Sequence, residues 1–569
     1  MQEGQDIIKK IRSFIFSYQA GKKMGRMKEQ EIRAERKNPD SHNESSTWEQ
    51  SDRERTGREL QDGKQAERES ENGKQAEREL QDGKQAERES ENGKQTGREP
   101  ENTERTGGKR KHGDRPHSHE IDMVHGPLFG KLLLFALPLM LSGILQLLFN
   151  AADIIVVGKF AGDESLAAVG STGSLINLLT NLFIGMSVGA NVVAAQFYGS
   201  GQRDKISDTI HTSVFLSLIC GVAMSLIGIL LSGQMLVWMS SPDDVIGLAS
   251  IYLRIYFLGM PAVMVYNFGS AILRAAGDTR RPLYFLIFAG VINVILNLVF
   301  VIGFGLGVVG VAAATVISQV ISAALVLWCM MRDEELHFSL RELHCSGEIL
   351  KRIVRIGIPA GIQGTVFSLS NVVIQSAINS FGKIVVAGNA AAANIEGFVY
   401  VAMNAMYQTA LTFIGQNYGA GEKKRILRVL FYCQGIVIVV GTLLGNAAVF
   451  FGRELLSIYS DTKAVIENGL IRMQYICRFY ALCGVMDVMV GALRGIGYSI
   501  MPMIVSLVGA CGLRLLWIAT IFKMNRTMGT LYMSYIVTWT ITAVVHIICF
   551  AAAYRRSYKT RALHTANQA

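Results

Sequence analysis

Asp153 is an acidic side chain inside an uninterrupted apolar stretch, residues 132–158. An ionised carboxylate at the middle of a membrane helix costs about 2.5–3.5 kcal/mol on insertion scales, so it needs a reason to be there. Gln146, Asn150 and Asp153 occupy positions i, i+4 and i+7, which places all three on one helix face. Facing lipid would waste that polarity, so the face is expected to line a cavity. Pro138, near the start of the same stretch, removes one backbone hydrogen bond and permits a bend. A second polar face follows at Asn293 and Asn297, again i and i+4, with Gln319 in the next stretch. Amides of this kind serve equally well as glue between helices. Asp153 is the stronger functional candidate, because Arg254 is the only obvious basic partner in its half. An Asp153–Arg254 pair would make it structural.

The second half of the chain carries its own intramembrane charges, Glu396, Arg472, Arg478, Asp487 and Arg514. Aligning Pro359 with Pro138 sets Asn371 opposite Asn150, but Asp153 then meets Ile374, so the halves differ in chemistry. Glu396 or Asp487 paired with Arg514 is expected to hold helices in register, slightly ahead of a role in transport. No GxxxxGK[ST] phosphate loop, HExxH metal motif or nucleophile elbow is present, and Gly303–Gly307 reads as a tight turn. The sequence therefore points away from an enzyme or an ATP-driven pump, calls for no cofactor or metal, and leaves an ion gradient as the energy source.

The elements that must position these residues are long apolar segments. Twelve stretches exceed the roughly 20 residues that span a bilayer: 132–158, 168–198, 208–232, 243–272, 280–302, 308–331, 351–380, 386–416, 426–451, 463–491, 499–522 and 528–554. The run Gln196-Phe197-Tyr198-Gly199-Ser200-Gly201 returns 220 residues later as Gln416-Asn417-Tyr418-Gly419-Ala420-Gly421. Leu273, Arg274, Gly277 and Pro282 return at the same offset as Leu493, Arg494, Gly497 and Pro502. The expected fold is thus all-α and integral to the membrane, twelve helices in two homologous six-helix bundles produced by internal duplication. The bundles are set at 125–332 and 351–555, with a connecting loop at 333–350 and a tail at 556–569.

Alternate loops differ sharply in charge. One set, with the C-terminal tail, holds nineteen Lys and Arg and the other six, which by the positive-inside rule makes both termini cytoplasmic. The net charge of +10 belongs to this topology and not to nucleic-acid binding. The eight cysteines show no ligand spacing and read as packing residues. Residues 1–120 are a different material: four near-identical decamers over 61–100, rich in mixed charge and poor in apolar groups, cannot form a core. A disordered cytoplasmic tail is expected, with Ile7–Phe16 able to lie on an anionic membrane surface; a translation start at Met123 is the alternative.

These motifs resemble the multidrug and toxic compound extrusion (MATE) family over residues 125 to 555. The likeness rests on the two Gln-x-Tyr-Gly-x-Gly loops, Asn150-Ala151-Ala152-Asp153 with Gly162-Asp163-Glu164-Ser165-Leu166, Leu273-Arg274-Ala275-Ala276-Gly277, and Leu493-Arg494-Gly495-Ile496-Gly497. The resemblance implies a V-shaped pair of bundles exporting organic cations and drugs in exchange for H⁺ or Na⁺. It makes Asp153 similar to the family's N-lobe coupling carboxylate and Asn293 to its fifth-span asparagine. Asn297 stands where many members carry an aspartate, Phe367 where the sodium-coupled branch has a glutamate, and Cys483 where that branch has an aspartate, with Asp487 one turn later. Protons are therefore the expected coupling ion, sodium the alternative.

The mechanism expected from this is simple. Ionised Asp153 favours a cationic, partly apolar substrate. Protonation cancels that attraction, lets the carboxyl bond Asn150 or Asn297, and releases substrate outward as the first span bends. A small-molecule organic cation, membrane lipid and no nucleic acid are the expected partners of a monomer in the plasma (bacterial inner) membrane. A flippase for a lipid-linked or oligosaccharide substrate is the rival reading.

Overall fold

The computed structural model describes residues 120–566 apart from 240–242, 334–335 and 337. The repeat-bearing segment 1–119, with Ile7–Phe16, lies outside the described residues. From the first half come α1 (Leu128–Phe160), α2 (Asp163–Ser200), α3 (Arg203–Trp238), α4 (Asp243–Leu258), α5 (Met260–Ala276), α6 (Arg280–Leu298) and α7 (Gly307–Arg332). The second half supplies α8 (Gly347–Asn379), α9 (Lys383–Ala420), α10 (Lys423–Phe450), α11 (Lys463–Ile476), α12 (Tyr480–Gly495), α13 (Ile500–Ser506), α14 (Leu513–Ala519) and α15 (Met528–Ala566). Eleven helical stretches among the described residues are long and apolar enough to cross a membrane. The twelfth span is broken: Val245–Leu258 and Met260–Ala276 meet at 47°. Gly259 and Pro261 explain the break, since a proline at the start of α5 has no N–H to continue the ladder of α4. The final helix runs past the expected limit of 554 to Ala566.

The duplication is visible as repeated local geometry. Gly162 and Gly382 precede α2 and α9 with φ of 86° and 93°, and Gly201 and Gly421 end them at 68° and 81°. These left-handed positions fix the same entry and exit in both halves. Spans five and eleven both contain π-helical turns, Val299–Gly303 after α6 and Leu507–Gly512 between α13 and α14. A π turn shifts which side chains face inward, and such turns gather at functional positions.

The halves meet through glycines. Gly185 and Gly189 on α2 face Gly357 and Gly361 on α8; a Cβ on Gly185 would stand 2.1 Å from the Gly361 nitrogen. Two small-xxx-small stripes so placed let helix backbones touch. At the basic end, the conserved spacing of 220 residues becomes a reciprocal contact. Gln196 donates to the Gly495 carbonyl at 2.9 Å and Gln416 to the Ala275 carbonyl at 2.7 Å. A Cβ on Gly199 would fall 1.8 Å from the Gln416 carbonyl oxygen, and one on Gly419 would fall 1.9 Å from that of Gln196. Gly199→Val therefore opens this end: a cysteine introduced at wholly buried Ala195, in a background lacking exposed Cys345, is expected to become reactive to a water-soluble maleimide only with that substitution.

Each half's first helix is shared. Leu128, Leu132 and Phe135 on α1 pack in the core of the second half, whereas Val156 and Val157, past Pro138, belong to an apolar cluster of the first. In the same way Ile349, Ile353 and Ile356 on α8 pack in the core of the first half, and Ile374 and Ile378, past Pro359, in that of the second. Pro138 and Pro359 lie within continuous helices between these two anchorages. Motion of one half against the other must flex α1 and α8 there.

A strap crosses the basic end before α1. The Ile121 N–H bonds the Gly277 carbonyl, Met123 is buried in the second half, and its carbonyl accepts from Asn417 and Arg425, both at 3.1 Å. Arg425 also donates to the Gly126 and His125 carbonyls. Burial pushes the Asp122 carboxyl up, but the N–H groups of His125 and Val124, with Lys131, outweigh it and hold that carboxyl below its usual range.

Candidate functional site

Two polar constellations stand inside the bundles. The first is in the N-terminal half. The wholly buried Asn297 donates to Asp153 Oδ1 at 2.5 Å and, through the same Nδ2, to Asn293 Oδ1 at 3.3 Å. Asn293 in turn donates to the Thr315 hydroxyl at 3.5 Å, and Thr315 to the Val311 carbonyl. α6 supplies both asparagines one turn apart, and the π turn begins two residues after Asn297. Asn297 Oδ1 is buried and has no donor. Val156, Val157, Tyr252, Val308 and Val311 form the adjoining apolar cluster. The result is one carboxylate whose described partners are all neutral.

Other residues expected at this site lie outside its hydrogen-bond network. Gln146 and Asn150 are exposed on α1 and join none of the described hydrogen bonds. Gln319 is half-buried on α7, outside the Asp153 network. Arg254 does not pair with Asp153. Its Nε donates to Ser232 at 3.3 Å, because α4 directs that guanidinium toward α3.

The second constellation walls a cavity of about 600 Å³ in the C-terminal half. Asn371 from α8, Glu396 from α9, Arg472 from α11, Asp487 from α12 and Arg514 from α14 all line it, with Asn177 and Asn181 contributed by α2 of the other half. Asn181 bonds Ser368 at 3.0 Å across the halves. The expected acid–Arg514 pair is corrected by the structure: the buried ion pair is Glu396–Arg472. Arg472 Nη2 and Nε donate to Glu396 Oε2 at 2.6 and 3.1 Å, and Nη1 donates to Asn389 Oδ1 at 2.8 Å. Tyr532 donates to the same Asn389 oxygen. Arg514 instead lies 4.0 Å over the Tyr535 ring and reaches Thr538 at 3.3 Å. α14 follows directly on the second π turn and presents Arg514 to Tyr535 and Thr538 on α15, and among the described residues no ion pair joins it to either acid. Asp487 also borders a smaller cavity of about 150 Å³ beside Arg494, which donates to Tyr407 and Gln363.

Asn389 and Asn181 were missed in the sequence although a signal was there: Asn177 and Asn181 are four residues apart on one helix face, and Asn389 and Glu396 seven apart on another. Arg472 and Glu396 were both visible as intramembrane charges, but that they pair, 76 residues apart in the chain, was not. Among the described residues no group of three His, Cys, Asp or Glu is arranged to hold a metal ion.

Comparison with known proteins agrees with this architecture. The MatE family model matches residues 138–299 and again 359–519, one copy in each half. The "Probable multidrug resistance protein YpnP" of Bacillus subtilis is 28% identical over 393 residues, 69% of this chain and 88% of its own length. The "Probable multidrug resistance protein NorM" of Thermotoga maritima is 26% identical over 68% of this chain and 84% of its own. A solved structure described as the outward-facing conformation of a multidrug resistance MATE family transporter shares the fold, with a TM-score of 0.72 at 22% identity over 77% of this chain and 98% of that one. With the family model matched twice and more than half of its length covered, the chain belongs to the MATE family of multidrug efflux transporters.

Proposed function

We infer that the chain is a secondary antiporter that exports organic cations, drugs or related metabolites across the plasma membrane in exchange for protons. The observation that carries this reading is the Asp153–Asn297–Asn293 network. A half-buried carboxylate with neutral partners is a one-proton site, and Asn297 Oδ1 is an acceptor still lacking a donor beside it. A proton on Asp153 supplies that donor and removes the negative charge that favours a cationic substrate. Exchange follows when only one of the two, proton or substrate cation, is held at a time.

The division of α1 on either side of Pro138 supports the coupling. Its first turns are fixed in the second half and its Asp153 segment in the first, so a change in how Asp153 bonds α6 alters the angle the helix must take. The excess of Lys and Arg at the Gln196 and Gln416 end supports a cytoplasmic location for that end and for both termini. Relatives named as multidrug resistance proteins support a drug-like cargo.

The test is ethidium movement in proteoliposomes of purified protein under separately imposed gradients. Export driven by a pH gradient and indifferent to sodium is the expected result. Transport that responds to sodium alone would refute proton coupling, and none under either gradient would direct attention to lipid-linked substrates.

A further inference from the structure

α12 packs against both α10 and α15 and floors a gap between them. The gap is a groove of about 550 Å³ on the outer face of the second half. α10 contributes Leu427, Phe431 and Ile438, α15 contributes Ile547 and Phe550, and Met489 of α12 lies behind them. The polar side chains of the groove are either tied to backbone or gathered at one end. Gln434 donates to the Val485 carbonyl at 3.2 Å, and Tyr554 to the Lys423 carbonyl at 3.0 Å. Arg555 lines the basic end and joins none of the described hydrogen bonds or ion pairs. Lys424, exposed at the same end, stands three residues before Leu427 and seven before Phe431 on one helix stripe, and likewise joins none. From Leu427 to Ile438 the groove follows eleven residues of helix, about 16 Å at 1.5 Å per residue. That is close to one leaflet of a hydrocarbon core about 30 Å thick.

The duplication shows how the other half treats the same face. At the 220-residue offset the counterpart of Phe431 is His211 on α3, and α5 packs on α3 and α7 as α12 does on α10 and α15. There the chain supplies its own cover. Phe338 and His344 of the connecting loop set their rings 5.3 and 4.9 Å from that of His211, centre to centre, and the Ser346 N–H bonds the Thr212 hydroxyl. His211 is left 1% exposed, whereas Phe431 is 74% exposed. In the second half α15 runs on as helix to Ala566, and among the described residues no segment crosses the groove. The geometry points to a lipid site: an anionic phospholipid of the leaflet at the basic end, with one acyl chain in the groove and its phosphate on Arg555 and Lys424. The apolar walls match the chain in chemistry and in length, and the two cations match the headgroup in charge. The groove shares no lining residue with the polar cavity of the second half, and the site does not depend on what is exported.

The test is native mass spectrometry of the full chain, equilibrated in detergent with equal amounts of phosphatidylglycerol and phosphatidylcholine carrying the same acyl chains. The wild type should retain one lipid and favour phosphatidylglycerol about tenfold, the scale of one or two basic side chains beside an anionic headgroup. Arg555→Gln combined with Lys424→Gln should bring the two lipids to equal retention. Ala551→Trp fills the groove from an exposed position and leaves both cations in place, so it should abolish retention of either lipid. No retained lipid in the wild type, or no preference between the two, overturns the site. So does Ala551→Trp with the preference intact, because the basic end alone would then account for it. A dimer that Ala551→Trp separates would give the groove to a second copy of the chain and overturn the lipid as well. Unfolding temperature in the same detergent checks each variant. If Ala551→Trp does not fold, Ile547→Trp, also exposed in the groove, takes its place with the same expected loss.

Discussion

Asp153→Asn is expected to bring pH-driven ethidium export down to the leak rate of protein-free liposomes, with the protein still folded. Asparagine has nearly the same shape and keeps a carbonyl oxygen to accept the Asn297 amide, so the helix contact between α1 and α6 survives. What is lost is the exchangeable proton and the charge. A site that cannot alternate between charged and neutral forms has no differential affinity for the coupling ion, and a ligand without differential affinity shifts no conformational equilibrium. The measurement is initial export rate at a fixed pH gradient, beside unfolding temperature in detergent. Wild-type export by the variant with intact proton coupling would show that the coupling group lies elsewhere, with Asp487 the next carboxylate to replace. Asn297→Ala gives a milder counterpart: Asp153 keeps its proton chemistry but loses its holder, so export should slow without being uncoupled.

The second large effect concerns stability. Arg472→Met is expected to lower unfolding free energy by about 3–5 kcal/mol, the usual consequence of stranding one member of a buried ion pair. In the wild type Glu396 receives two of the guanidinium's N–H groups and Asn389 a third, so removal strands the Glu396 carboxylate and leaves the Asn389 oxygen with Tyr532 as its remaining donor. Pairing Arg472→Met with Glu396→Leu removes the charge along with its partner and is expected to recover most of the loss, since a well-packed apolar replacement for a buried ion pair is often neutral. Thermal unfolding of the four proteins in one detergent completes the cycle. An additive double variant would show that Glu396 and Arg472 act separately, and would reopen Glu396 as a transport residue. A non-additive one assigns the pair to holding α9 against α11.

The folding pattern was legible because membrane insertion writes itself strongly into sequence. Apolar stretches of sufficient length mark the spans, and in this chain each stretch of the reading corresponds to a helix or a broken pair. The Gln196 and Gln416 motifs, read as loops and found as the last turns of α2 and α9, were recognised as copies, and the structure gives the reason for the motif. Each glutamine caps a carbonyl at the end of the opposite half, and each glycine lets the other half's backbone approach. The stripes at Gly185, Gly189, Gly357 and Gly361 also lay in plain view as paired glycines four residues apart, and mark where α2 and α8 touch. The break at Gly259 and Pro261 was written there too, in a proline placed between two halves of one apolar run.

Partnership among polar side chains was much less legible. Helical spacing grouped Gln146, Asn150 and Asp153, but α6 reaches only the last of them. Charge alone offered Arg254 to Asp153 and Arg514 to Glu396 or Asp487, and none of those pairs forms. Asn297, read as a missing charge, is the residue that holds Asp153.

By itself, then, the sequence determined a twelve-span duplicated membrane bundle, the residues too polar to face lipid, and the family, because each of these follows from local composition, spacing and repetition along one chain. Only the tertiary structure decided which of the polar residues meet, that Glu396 belongs to Arg472, and that Asp487 and Arg514 share a cavity without neutralising each other. Those pairings depend on the rotation of each helix about its axis and on π turns that reset it by a fraction of a turn. Rotations of that size leave hydropathy unchanged, and so leave no mark in the sequence pattern.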